Sequence, residues 1–180
     1  DYPARWLYDR SYKNFEIKKS LFPSLSNLTL IPVSNWLKTQ LEQSFMRDCS
    51  IRVIKNGIDL DIFNIEEKQN DGRFRILGVA NVWDQRKGLD DFKKLRNLLP
   101  AEFEIILVGL KKDQIKNLPD GIVGITRTDS QKELAHLYAK SDVLVNPTYE
   151  DNFPTTNLEA LASGTPVITY RTGGSPEAVD

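Results

Sequence analysis

Short apolar runs alternate with longer segments of helical periodicity from about residue 73 onward. The apolar runs predict five strands, at residues 73–80, 103–109, 121–125, 142–146 and 165–170. The helical segments predict helices at 89–99, 130–140 and 157–163. Because each parallel connection needs a crossover, this alternation predicts an α/β fold with a doubly wound, Rossmann-like parallel sheet.

Residues 28–54 carry a shorter version of the same pattern. Two strands are predicted at 28–33 and 51–54, and a helix between them follows Ser34, whose hydroxyl suits an N-cap. Residues 1–28 mix aromatic and basic side chains with a poor period. We expect a packed helix with solvated charges there.

The chain has 180 residues, of which 40% are hydrophobic and 27% are charged. This length suits either one domain, or one complete domain and part of a neighbour. The polar stretch at 64–73 marks the boundary between them. We therefore predict that residues 1–63 form the end of a preceding domain with a hinge, and that residues 64–180 form the parallel-sheet domain, incomplete at its C-terminus.

Composition and charge exclude several classes of protein. The net charge is -1, which disfavours nucleic acid as a partner. The single cysteine, Cys49, and the single histidine, His136, form no metal-ligand pattern, so no metal is expected. No apolar run approaches the roughly 20 residues that span a bilayer, and no signal-peptide pattern opens the chain, so we expect a cytoplasmic protein. The aromatic and basic residues near the N-terminus leave peripheral membrane contact open.

Two carboxylates enclose the most informative stretch, which runs from Asp151 to Glu159. It follows the predicted strand at 142–146, so it lies beyond the carboxyl edge of the sheet, where ligands of such folds bind. Thr155, Thr156 and Asn157 within it suit the start of a helix, whose free backbone N–H groups favour an anion. This pattern predicts a cradle for phosphate and sugar.

A second loop on the same edge contains Arg86, Lys87 and Gly88 and leads into the helix at 89–99. Two adjacent cations and a glycine at a helix start suit a diphosphate, although such a loop alone is also typical of a solvated surface. A third loop, at 172–177, contains two glycines and reads either as a ligand contact or as a simple turn.

The chain from about residue 30 to 180 resembles the retaining, GT-B-fold glycosyltransferases of family 4. The resemblance lies in the Asp151 to Glu159 stretch, the Gly-Thr-Pro-Val-Ile sequence at 164–168, the Lys87-Gly88 pair and the hinge sequence at 53–59, all in the family's order. It implies that the chain is a fragment that begins late in an acceptor-side domain and stops within the donor-binding domain. No cofactor is implied, because the nucleotide-sugar donor is a substrate.

The resemblance also implies a role for each matched residue. Glu159 should accept hydrogen bonds from the ribose hydroxyls, Asp151 should face the donor sugar, and Lys87 should offset charge on the diphosphate. The catalytic set is therefore Lys87, Asp151 and Glu159. The base is expected near residues 124–127. The donor-binding residues implied are Arg86, Lys87, Gly88, Asn152, Phe153, Pro154, Thr155, Thr156, Asn157 and Glu159.

Three departures from the family pattern bear on these roles. Asp151 is one methylene shorter than the family's glutamate, with Glu150 adjacent to it. Asn81 stands where the family commonly has a second diphosphate-binding arginine, which Arg86 would have to replace. Asn152 and Pro154 occupy positions often held by glycine, and a proline has no backbone N–H to donate.

The function expected is transfer of a sugar from a nucleotide-sugar to a saccharide or lipid-linked acceptor, with retention at the anomeric carbon. Such a reaction belongs to cell-envelope polysaccharide biosynthesis, at the cytoplasmic side of the membrane. One competing hypothesis is a non-catalytic nucleotide-sugar-binding module or inactive fragment. Another is a sugar-diphosphate epimerase, which shares the fold and the substrate class. The nucleotide, the sugar and the acceptor are left open.

Overall fold

The computed structural model describes residues 10–66 and 71–179, which divide after Lys55 into two units. The first contains helix α1 (Ser11–Leu21), strand β1 (Thr29–Leu30), helix α2 (Asn35–Glu42) and strand β2 (Ser50–Ile51). The two strands pair in parallel, and the Ser34 hydroxyl accepts a hydrogen bond from the Leu37 N–H, so the predicted N-cap is confirmed. Each strand is shorter than predicted.

Helix α1 differs from the packed helix expected near the N-terminus. None of its residues is buried, and Phe15 contacts Phe45 edge to face with ring centroids 5.4 Å apart. The reason is that its apolar residues do not form the continuous stripe that lets a helix pack. The part of that prediction that covers residues 1–9 lies outside the described residues.

The second unit, from Asn56 onward, is built on one five-stranded sheet. Its strands are β3 (Phe74–Val79), β4 (Phe103–Val108), β5 (Ile122–Ile125), β6 (Val143–Asn146) and β7 (Val167–Thr169). They are all parallel, in the order β5-β4-β3-β6-β7. The order reverses direction at β3, and the carboxyl ends of strands at such a switch point open a crevice for ligands. The predicted doubly wound sheet is confirmed.

Helices cover both faces of this sheet. They are α3 (Leu89–Leu98), the short unpredicted α4 (Lys112–Lys116), α5 (Gln131–Lys140) and α6 (Thr155–Ala162). Phe92 of α3 packs on Ile76, Ile105 and Leu107 on one face. On the other face Tyr138, Ala160 and Phe63 pack on Leu77 and Leu144. Neighbouring residues of a strand point to opposite faces, so continuous apolar strands bury both of them.

The domain boundary predicted between residues 63 and 64 stays a prediction. Contacts within the chain divide it between Lys55 and Asn56, and Phe63 lies in the core of the second unit. Within the described residues, no helix has the length and apolarity that crossing a bilayer requires.

Replacing Ser130 with alanine is expected to lower the free energy of unfolding by about 1 kcal/mol, because it removes the N-cap of α5. The Ser130 hydroxyl accepts a hydrogen bond from the Glu133 N–H at 3.2 Å. Urea denaturation followed by circular dichroism measures the change. Lys132→Ala, at an exposed position of the same turn, is the control and should stay within about 0.5 kcal/mol of the wild type. Equal losses in both variants would contradict the assignment of the cap.

Candidate functional site

The loops after β3 and β6 enclose a cleft of about 420 Å³ at the switch point of the sheet. Lys87, Asp151 and Glu159, which the sequence predicts as one site, all line it. The remaining lining residues are Val79, Ala80, Asn81, Val82, Arg86, Leu134, Phe153, Pro154, Thr155 and Thr156. The fold therefore brings the two predicted loops together at one cleft.

An ion pair between Lys87 and Asp151 crosses the cleft. Lys87 ends a 3-10 turn (Gln85–Lys87) whose N-cap, Asp84, accepts a hydrogen bond from the Lys87 N–H at 3.0 Å. The Lys87 Nζ donates to Asp151 Oδ2 at 2.6 Å, with the two side chains 20% and 18% exposed. Asp151 Oδ1 accepts from the Phe153 N–H at 3.2 Å. Both oxygens of Asp151 therefore have a partner in this structure.

Arg86 links the two loops that carry this ion pair. Its backbone carbonyl accepts a hydrogen bond from the Tyr149 N–H at 2.8 Å, and its Nη1 donates to the Glu150 carbonyl at 3.4 Å. Its side chain is half exposed, with Nε 4.0 Å from Asp84 Oδ2. Such a weakly held guanidinium can turn toward an anion in the cleft.

Glu159 lies on α6 and forms the opposite side of the cleft. Its Oε2 accepts a hydrogen bond from the Tyr138 hydroxyl at 2.8 Å. Burial raises the pKa of Glu159 above its usual value, while hydrogen bonds from Tyr138 and Thr155 act in the opposite direction. Burial and the neighbouring carboxylate raise the pKa of Tyr138 well above its usual value, so its hydroxyl keeps its proton and donates.

The loop at 172–177 holds the backbone of Asp151 through a hydrogen bond. The Gly174 N–H donates to the Asp151 carbonyl at 2.9 Å, and the Thr172 hydroxyl donates to the Thr148 carbonyl at 2.8 Å. Gly173 has a φ of 54°, and a Cβ there would lie 2.1 Å from the Asp151 carbonyl oxygen. This loop does not line the cleft, so of the two alternatives for it the structure favours the turn, which here holds Asp151 in place.

Gly173→Ala is expected to lower the free energy of unfolding by about 2–3 kcal/mol, because it combines a left-handed backbone with a backbone clash. Thermal and urea unfolding measure this loss. Gly57→Ala is the matched control, since a Cβ at Gly57 has no atom within 4 Å and its φ is not positive. A Gly173→Ala protein as stable as the control would show that the loop shifts freely and does not hold Asp151.

Three residues assigned to donor binding do not line the cleft. Gly88 has a φ of 74°, and a Cβ there would lie 2.4 Å from the Pro147 carbonyl oxygen, so this glycine allows two loops to approach each other closely. Asn157 is fully buried and its Oδ1 accepts from Asn146 Nδ2 at 2.8 Å. Asn152 is exposed. The assignment of these three residues to donor binding stays a prediction.

A second groove of about 480 Å³ adjoins the cleft beyond the carboxyl ends of β3, β4 and β5. It shares Val79, Ala80, Asn81 and Leu134 with the cleft, and Thr126 to Gln131 form its outer wall. This is the region in which the base of a nucleotide was expected, and that assignment stays a prediction.

Sequence reasoning missed the contact between Tyr138 and Glu159. Tyr138 lies on the buried face of its helix, and a phenol at a buried position needs a polar partner. That need is the one signal in the sequence that pointed to the contact. Across the part of the chain that the structure describes, no group of three or more His, Cys, Asp or Glu side chains could hold a metal ion.

The fold and the cleft define an α/β protein of the Rossmann-like class, with its site at the switch point of a parallel sheet. Residues 73–180 match the family described as glycosyl transferases group 1. The chain belongs to this family, and the resemblance to GT-B-fold glycosyltransferases is confirmed.

Curated relatives are similar to most of this chain. It is 47% identical over 183 residues to D-inositol 3-phosphate glycosyltransferase of Corynebacterium jeikeium, covering 86% of this chain and 43% of the relative. It is 28% identical over 176 residues to O-antigen chain mannosyltransferase RfbU of Salmonella typhimurium, covering 93% and 48%. For sulfoquinovosyl transferase SQD2 of Arabidopsis thaliana the identity is 27% over 166 residues, covering 86% and 32%. The chain therefore spans 32% to 48% of the length of these relatives.

Solved structures share the fold. Sucrose-phosphate synthase from Thermosynechococcus elongatus superposes with a TM-score of 0.75 at 23% identity, covering 95% of this chain and 47% of that one. WaaG, a glycosyltransferase involved in lipopolysaccharide biosynthesis, superposes with a TM-score of 0.74 at 16% identity, covering 96% of this chain and 52% of WaaG. Anabaena HepE in complex with UDP superposes with a TM-score of 0.78 at 21% identity, covering 94% of this chain and 52% of HepE.

Proposed function

We propose that the protein containing this chain transfers a sugar from a nucleotide-sugar donor to an acceptor, and that this chain supplies the donor cleft. The observation that carries the proposal is the convergence of Lys87, Asp151 and Glu159 on one cleft at the switch point of the sheet. Membership of the glycosyl transferases group 1 family and the UDP-glucose complex of the structural neighbour HepE support it.

Lys87 would bind the diphosphate of the donor. Its ammonium is half-buried, so a charge that it meets in the cleft is less screened than one on the surface. An ammonium has three N–H donors, so it can contact phosphate oxygens while one donor remains on Asp151. As the glycosidic bond breaks, negative charge grows on the leaving diphosphate, and Lys87 and Arg86 would stabilise it there.

Glu159 and Asp151 would bind the two sugars of the donor. Glu159 lines the cleft together with Leu134, which the adjoining groove shares, so it would lie where the ribose joins the base to the diphosphate. Asp151 lies beside Lys87 and would face the hydroxyls of the transferred sugar. The backbone from Phe153 to Asn157 would contact sugar and phosphate oxygens at the N-terminal end of α6.

The transfer would retain the anomeric configuration, as the resemblance to family 4 implies, with the acceptor attacking on the face that the diphosphate leaves. No side-chain nucleophile is assigned. The acceptor would be a saccharide or a lipid-linked saccharide of the cell envelope, reached from the cytoplasm with peripheral membrane contact. The O-antigen and lipopolysaccharide roles named for RfbU and WaaG support this choice.

Binding of nucleoside diphosphates to the 180-residue chain tests the donor cleft. Isothermal titration with UDP, GDP, ADP, CDP and TDP should show one or two of them binding clearly more tightly than the others. No binding of any of them would refute the proposal. A transfer assay with the matching nucleotide-sugars, followed by NMR of the anomeric proton of the product, then tests transfer and retention.

The second candidate is a nucleotide-sugar-binding module without turnover. It is favoured by one observation, that Asn81 lines the cleft at a position where the family commonly has a second diphosphate-binding arginine. Tight nucleotide binding without hydrolysis or transfer would support it. A sugar-diphosphate epimerase would instead convert the donor in the absence of any acceptor.

A further inference from the structure

Tyr138 is fully buried, yet its hydroxyl reaches the carboxylate of Glu159. Its ring packs edge to face against Phe63 with centroids 6.1 Å apart. Its backbone carbonyl accepts a hydrogen bond from the Thr165 hydroxyl at 2.6 Å. Ring and backbone are both held by the core, so the position of the hydroxyl is fixed before any ligand enters the cleft.

The hydrogen bonds of Glu159 leave part of its carboxylate unused. An ionised carboxylate has two oxygens with about four acceptor positions. The Tyr138 hydroxyl occupies one, at 2.8 Å from Oε2, and Thr155 lies close enough to lower the pKa of the same carboxylate. At least two acceptor positions remain, as many as the hydroxyl donors of a vicinal diol.

We propose that Tyr138 is a positioning residue for donor recognition: it holds Oε2 of Glu159 and so aims the remaining acceptor positions of this carboxylate at a ribose diol. The inference rests on the proposed function, in which Glu159 binds the ribose. Tyr138 does not line the cleft, so it acts through Glu159 and does not touch the donor.

The same contact sets the pH range in which the diol is bound. The charged groups that line the cleft with Glu159 are Arg86, Lys87 and Asp151. Burial raises the pKa of Glu159, and the hydrogen bond from Tyr138 lowers it. Removing the hydroxyl therefore raises this pKa further. Nucleotide affinity, which needs the ionised carboxylate, would then be lost at a higher pH on acidification.

Tyr138→Phe in the 180-residue chain tests the inference, because it removes the hydroxyl and keeps the ring. The probes are UDP, GDP and ADP, and then the deoxynucleoside diphosphate that matches the one bound most tightly by the wild type. The affinity ratio of ribo- to deoxynucleotide should fall about threefold to tenfold in Tyr138→Phe. In a Glu159→Gln background the same change should have no further effect on the ratio.

Tyr149→Phe is the matched control, because the Tyr149 hydroxyl also donates to a carboxylate, Asp91 Oδ2 at 2.6 Å, outside the cleft. It should leave the ratio unchanged. A merely structural Tyr138 would lower the melting temperature in Tyr138→Phe while leaving both the ratio and the pH midpoint of binding unchanged, and that result would overturn the inference.

A second variant keeps the test decisive if Tyr138→Phe does not fold. Fluorotyrosine at position 138 preserves the shape of the ring and makes its hydroxyl a stronger donor. The ratio should then rise and the pH midpoint should fall, and unchanged values would overturn the inference. A wild-type chain that binds none of UDP, GDP, ADP, CDP and TDP would refute the proposed function itself, whereas normal binding with an unaffected ratio would refute the role of Tyr138 alone.

Discussion

Lys87→Ala is expected to weaken nucleoside diphosphate binding by roughly 10- to 100-fold, the range of one hydrogen bond to a charged group. In a protein that turns over, it should slow sugar transfer by about 100- to 1,000-fold, because charge on the leaving diphosphate is greatest in the transition state. The expected effect is large because the Lys87 ammonium is half-buried and already fixed in the cleft by Asp151. Isothermal titration and single-turnover kinetics measure the two changes.

Lys93→Ala is the control for Lys87→Ala. Lys93 is paired with Asp90 at 2.9 Å on the surface of α3 and does not line the cleft, so its loss should leave nucleotide affinity unchanged. Lys87→Ala also leaves the Asp151 carboxylate without its cation, so thermal unfolding must be followed in parallel. Unchanged diphosphate affinity in a folded Lys87→Ala protein would remove Lys87 from the site.

Glu159→Gln is expected to separate binding from stability. It should lower the affinity for ribonucleoside diphosphates by about 10-fold, because an amide offers one acceptor oxygen in place of two. It should also raise the melting temperature of the ligand-free protein at neutral pH. Burial raises the pKa of Glu159 in the folded state, so the ionised carboxylate is less favourable when buried than when unfolded.

The sign of the pH dependence follows from this raised pKa. The contribution of Glu159 to the free energy of unfolding is fully present below its ordinary pKa of 4.5 and is lost as the pH rises through the higher folded value. Glutamine does not ionise, so the gain from Glu159→Gln should grow with pH and then level off. Melting curves over this pH range measure it. A variant less stable than the wild type at neutral pH would show that the carboxylate makes a net favourable contact without ligand.

The sheet was predictable because its strands are continuous apolar runs that no amphipathic surface element resembles. The strand predicted at 165–170 is twice as long as the strand in the structure, which is Val167–Thr169. The reason lies in a contact outside the strand. The Thr165 N–H donates a hydrogen bond to the Ala160 carbonyl at the end of α6, so Thr165 belongs to the helix terminus. The short helix α4 gave no signal, because five residues are too few to show a period.

The location of the site could be predicted from the sequence, but the orientations and partners of its side chains could be predicted less well. Lys87, Asp151 and Glu159 follow strands whose carboxyl ends meet at one edge, so their convergence followed from topology. The burial of Asn157 could have been predicted from the sequence, because Asn157 lies three residues before Ala160 and therefore on the same face of α6. Ala160 is fully buried. The pairing of Lys87 with Asp151 could not have been predicted from the sequence, because it depends on how two loops of irregular backbone approach each other.

The ion pair between Lys87 and Asp151 bears on which anions the cleft would bind. Four ionisable side chains line it, and the two cations, Arg86 and Lys87, balance the two carboxylates, Asp151 and Glu159. An entering anion therefore meets no net formal charge, and it would share the Lys87 ammonium with Asp151. A diphosphate, with several charged oxygens, would contact both cations, whereas a monophosphate offers fewer contacts. Under the proposed function, Asp151 would therefore favour a diphosphate over a monophosphate at Lys87.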